Sequence, residues 1–109
     1  MRFEDHVARA VASLPPELAH AVHNLELTIE DVHPDDADLF GLYEGVPLPE
    51  RSDWAGQLPD RIRIFRRPLE DEFGDDPAVL EDEIRITVLH ELAHYFGIDE
   101  DRLDELGYA

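Results

Sequence analysis

Apolar residues mark out the chain by the spacing at which they recur. Phe3, Val7, Ala10, Val11 and Leu14 fall three or four positions apart, the spacing that lines one face of an α-helix, and Pro15-Pro16 stops that helix. Pro16 suits the first turn of a second helix, Pro16 to His23, whose apolar face carries Leu18, Ala19 and Val22 before Asn24. The period then changes to two. Leu25, Leu27 and Ile29 alternate with Glu26, Thr28 and Glu30 ahead of Asp31-Val32, which predicts a strand with one buried face. From His33 to Pro59, Pro34, Gly41, Gly45, Pro47, Pro49, Gly56 and Pro59 interrupt every periodicity, and only Leu39 to Val46 can hold a short strand or hairpin arm. Arg61-Ile62-Arg63-Ile64-Phe65-Arg66 alternates again and predicts a second strand, its basic side toward solvent or an acidic neighbour. After Pro68 the acidic stretch Glu70 to Asp76 reads as a solvated linker, with a cation site as the alternative.

The last third carries the strongest pattern. Asp76-Pro77 reads as an N-cap followed by a first-turn proline, and Glu81, Asp82 and Glu83 lie early, where the helix dipole favours acids. Leu80, Ile84, Thr87, Val88, Glu91 and Leu92 advance in helical steps, so one long helix is predicted from Pro77 to Phe96 with its apolar side on the sheet. Gly97 ends it as a residue able to turn left-handed. Asp99 reads as the N-cap of a short terminal helix in which Leu103 and Leu106 pack inward and Gly107 closes the end.

Size and charge narrow the function classes. A chain of 109 residues suits one domain, 1–109, with a single core. Nine basic residues against 27 acidic ones give a net charge of -18, which repels nucleic-acid phosphates and anionic lipid and favours basic or neutral partners. Neither nucleic acid nor membrane is therefore expected as a partner. With no cysteine, any metal must be held by imidazole and carboxylate groups. The start of the chain lacks the basic and apolar regions of a secretory signal, and no apolar run is long enough to span a bilayer, so a soluble cytoplasmic protein is the expectation.

On the long predicted helix lies His90-Glu91-Leu92-Ala93-His94. Histidines four apart stand one turn above each other, which lets two imidazoles converge on one ion at about 2.0–2.1 Å. Glu91 projects beside them, where it can take a proton from metal-bound water as the general base of a hydrolase. The pattern alone arises by accident in about four chains in a hundred of this composition, and the competing reading is two surface histidines with an incidental glutamate. Its place late in a capped helix, with a helix-ending glycine three residues on, favours the metal. A catalytic zinc needs a third protein ligand, and Asp99, Glu100 and Asp101 follow the turn. Glu100 is the first choice, because it stands where the longer motif His-Glu-x-x-His-x-x-Gly-x-x-His places its last histidine; Asp101 is the substitute. The plain alternative is that all three acids cap the terminal helix. Two imidazoles and a carboxylate also suit several other transition metals.

The run His90-Glu91-Leu92-Ala93-His94-Tyr95-Phe96-Gly97-Ile98-Asp99-Glu100-Asp101-Arg102-Leu103, with the upstream Val46-Pro47-Leu48 and Leu58-Pro59-Asp60-Arg61-Ile62, resembles the small zincin-like metallopeptidase family over nearly the whole chain. The resemblance implies an α+β minimal zincin fold: N-terminal helices, a small mixed sheet packed on the long motif-bearing helix, and a short C-terminal helix. It also implies one zinc per chain, bound by His90, His94 and an acid after Gly97, and peptidase activity on a peptide or protein substrate. Where that family commonly carries aspartate at the third-ligand position, this chain has Glu100.

On the enzyme reading, a peptide lies extended along an exposed edge strand, for which Arg61 to Arg66 is the natural candidate, and Glu91 passes the proton to the leaving amine. Tyr95 or Tyr108 is the candidate oxyanion donor, against simple packing for Tyr95 and a fraying terminus for Tyr108. The sole methionine is Met1, so no methionine turn lies beneath the site. Two other functions compete: a non-catalytic zinc-binding or protein-interaction module, and a structural zinc that ties the C-terminal turn to the long helix. His20 and His23 read as a solvated helix face, His6 and His33 have no constellation, and Trp54 reads as an anchor for its loop or a pocket wall.

Overall fold

A computed structural model describes residues 2–45, 60–99, 101, 102 and 105. Among these residues the elements with bounds are, in order, α1 (Phe3–Ala12), α2 (Pro16–His23), β1 (Glu26–Glu30), β2 (Gly41–Glu44), β3 (Arg61–Phe65), α3 (Arg66–Phe73) and α4 (Pro77–Tyr95). The class is α+β, as the sequence pattern and the resemblance both lead one to expect.

The sheet has the order β1-β3-β2, with β1 parallel and β2 antiparallel to β3. This corrects the expectation that Arg61 to Arg66 forms an exposed edge: β3 is the central strand, and among the described residues β2 is an edge. Alternation reports one buried face and carries no information on whether a strand has one neighbour or two. The arginines of β3 are instead matched by acids on the flanking strands. Arg63 meets Glu30 through Nε at 2.7 Å and Nη2 at 2.9 Å and lies 3.5 Å from Glu44, while Arg61 lies 3.8 Å from Glu26. The buried face of β3 carries Ile62 and Ile64, which join Phe3, Val7, Leu69, Leu80, Ile84, Val88 and Leu92 in the core.

A second correction concerns the acidic stretch after Pro68. Its first part, Glu70 to Phe73, is not linker but the second half of α3, which leaves β3 directly and buries Leu69, and only Gly74 to Asp76 form the turn into α4. Pro68 sits in the first turn, where its missing N–H costs no helical bond. Leu69 and Phe73 share one face four residues apart, Phe73 packs its ring 5.7 Å from that of Phe40, and Arg66 holds Glu70 at 2.9 Å and also Asp31.

Helix α4 is built as its sequence dictates. The Asp76 carboxylate accepts the backbone N–H of Ala78 at 3.0 Å and of Val79 at 3.4 Å. Leu80, Ile84, Thr87, Val88, Glu91 and Leu92 form its buried face. At the far end Gly97 takes φ 83°, its N–H donates to His94 and that of Ile98 donates to Ala93, the paired bonds of a Schellman stop. Helix α1 packs along α4, and buried His6 and exposed Arg9 both reach Glu81 there, at 3.2 and 2.9 Å. His6 thus has a partner that no sequence spacing announces. No helix among the described residues is long and apolar enough to cross a membrane.

Candidate metal centre

The last two turns of α4 carry His90, Glu91 and His94, and one donor atom from each lies within 4.8 Å of the others. The imidazole centroids are 5.1 Å apart with the rings inclined at 76°. Both histidines are half-buried, whereas Glu91 is only 8% exposed. The helix creates this split by rotation: Thr87, Val88, Glu91 and Leu92 face inward, and the histidines flank that stripe.

A buried carboxylate must find donors, and Glu91 finds one on the sheet. The backbone N–H of Tyr43 donates to Glu91 Oε1 at 3.0 Å. That bond requires β2 to lie close against α4, and Gly41 permits it, since a Cβ there would stand 2.7 Å from Thr87 Cγ2 and 3.4 Å from Glu91 Cγ. The Tyr43 hydroxyl donates to the buried carboxylate of Asp60 at 3.1 Å, and the Asp60 carbonyl accepts the Glu26 N–H at 2.9 Å. Strand β2 is thereby fixed to Asp60, the residue before β3, and to the motif helix. Tyr95 lays its ring edge-on against Tyr43, with centroids 6.1 Å apart, and against Phe96 at 5.2 Å.

This donor set fits a transition metal. Imidazoles are borderline ligands of the kind zinc takes, and His90 and His94 lie one helical turn apart with the Glu91 carboxylate beside them. Beyond Gly97, Asp99 accepts the Arg102 N–H at 2.9 Å and so caps the terminal turn, as its sequence position predicts. Asp101, Arg102 and Glu105 are helical, and Asp101 is exposed and not among the converging donors. Glu100 and Tyr108, like Trp54 and the segment 46–59, lie outside the described residues. His20 and His23 lie exposed on α2, in keeping with a solvated face. Beside His90 and Glu91 opens a cleft of about 440 Å³, with walls that include Asp38, Phe40, Gly41 and Glu83.

A family model described as zincin-like metallopeptidase matches residues 18–108. The chain belongs to the zincin-like metallopeptidase family. No curated protein matches it significantly. In this zincin-like chain the family match begins inside α2, so α1 lies outside it even though α1 packs along the motif helix. The positioning residues Gly41, Tyr43 and Asp60 escaped the sequence reading of this zincin-like site. The available signal was a glycine directly before a short alternating run, which marks close backbone approach without saying to what.

Proposed function

We propose that the protein is a zinc-dependent peptidase in which His90, His94 and an acid beyond Gly97, Glu100 or Asp101, hold the metal and Glu91 is the general base. The observation that supports this best is the convergence of His90, Glu91 and His94 beside a cleft, with Glu91 held by a backbone amide of an edge strand. Zinc bound there would supply Lewis-acid chemistry, polarising a peptide carbonyl and making water easier to deprotonate.

The chain's own residues provide the rest. Among the described residues strand β2 pairs with β3 on one side only, and its Tyr43 N–H points the other way, to Glu91. A peptide or protein substrate lying extended beside that free edge would bring its scissile carbonyl next to Glu91. One Glu91 oxygen stays on the Tyr43 amide, which fixes the carboxylate plane; the other takes a proton from the attacking water and delivers it to the leaving nitrogen. Tyr95 and Tyr108 are the candidates for a hydroxyl that stabilises developing negative charge.

The same bond favours one competing reading. Because Glu91 ties β2 to α4, it suits a non-catalytic zinc module in which Glu91 is purely structural. Glu91→Gln separates the two, since glutamine can still accept the Tyr43 N–H but cannot take a proton. On the peptidase reading the zinc-loaded variant keeps its metal and loses hydrolysis of a mixed peptide library. An unchanged rate would remove Glu91 from catalysis.

A further inference from the structure

The cleft beside His90 and Glu91 has two kinds of wall. Half-buried Leu39, Phe40 and Ile86 make it apolar, while its other walls include the acidic residues Asp36, Asp38 and Glu83, with Asp36 Oδ1 accepting the Asp38 N–H at 3.1 Å. Several acids elsewhere are matched by arginine: Arg63 meets Glu30, Arg9 meets Glu81, Arg66 meets Glu70 and Arg85 meets Asp82. No arginine lines this cleft, and among the described residues neither Asp38 nor Glu83 has a cationic partner. Glu83 precedes His90 by seven residues, about 10.5 Å along the same face of α4.

We infer that this cleft receives a lysine or arginine side chain of the substrate, next to the bond to be cut; the inference rests on the peptidase reading and specifies its substrate class. A long aliphatic stem gains by packing on Leu39, Phe40 and Ile86, and a cationic tip suits the acidic residues that share the cleft. A neutral apolar residue would leave those carboxylates hydrated and gain only the stem. An acidic residue would be repelled both here and by the net charge of -18, which concentrates cationic peptides around the whole molecule.

The test uses the zinc-loaded protein and two metal-directed probes, lysine hydroxamate and norleucine hydroxamate, which differ in the terminal ammonium. Titration calorimetry at low salt is expected to show the lysine probe binding about fivefold more tightly, the scale of one or two solvent-exposed ion pairs. The preference should shrink as salt is raised and vanish in the double variant Asp38→Asn, Glu83→Gln. Equal affinities, binding of neither probe, or a preference that survives the double variant would overturn the inference. Peptides matched except for lysine or norleucine beside the scissile bond separate it from the peptidase reading. Cleavage without a basic preference overturns the pocket alone, whereas a hydroxamate preference without cleavage of any peptide overturns the peptidase reading and leaves the pocket standing.

Discussion

The backbone amide of Tyr43 donates a 3.0 Å hydrogen bond to Oε1 of Glu91, a residue 48 positions further along the chain. This bond makes the edge strand part of the motif helix's site. It gives Glu91 a fixed orientation while leaving its second oxygen to other partners, and it depends on a strand lying so close to α4 that its first residue has no room for a side chain.

Gly41→Ala should therefore be costly. Its Cβ would meet Thr87 Cγ2 at 2.7 Å, and overpacking of this kind costs about 1–3 kcal/mol. Thr87→Ser removes that methyl and keeps the hydroxyl that donates to the Glu83 carbonyl. The double variant should recover much of the loss, and urea denaturation of the two single variants and the double one measures the coupling.

Removing the carboxylate of Glu91 altogether should lower stability where Glu91→Gln does not. Glu91→Ala leaves the Tyr43 N–H without this acceptor beneath a half-buried strand, which costs about 1–3 kcal/mol. Chemical denaturation of the metal-free proteins checks this without reference to activity.

Asp76→Ala tests the opposite end of α4. Loss of the cap on Ala78 and Val79 should cost about 1 kcal/mol, while the spacing of His90 and His94, more than three turns away, is unchanged. The expected outcome is a lower urea midpoint with undiminished zinc stoichiometry.

Acid should loosen α1 from α4. Arg9 and then His6, through their hydrogen bonds, hold the Glu81 carboxyl below the ordinary carboxylate range. A carboxyl whose folded pKa is depressed stabilises the fold above its unfolded pKa, and that contribution disappears as pH falls through the folded value. Glu30, held down mainly by Arg63, acts in the same direction. Stability should thus fall as pH drops below the ordinary carboxylate range, and Glu81→Gln should be less stable at neutral pH but lose less on acidification. Urea midpoints measured across pH for both proteins test the sign.

Much of this architecture is legible in the chain. The bounds of α2 and the cap, buried face and glycine stop of α4 follow from Pro16, Asp76, the spacing from Leu80 to Leu92, and Gly97, because each acts through local geometry. The same is true of the His90–His94 pairing, which one helical turn enforces. What the chain conceals is relational. The central place of β3 is decided by which strands flank it, and α3 is masked by acids on its solvent face and by a proline in the one turn that tolerates it. The bonds of Glu91 to Tyr43 and of His6 to Glu81, 75 residues apart, depend on tertiary contacts with no periodic signature.

Zinc content decides the central claim most directly. Elemental analysis of protein purified without added metal should find one zinc per chain, lost in His90→Ala and in His94→Ala, with melting temperature rising on zinc addition in the parent protein only. Undiminished stoichiometric zinc in either variant would contradict the account.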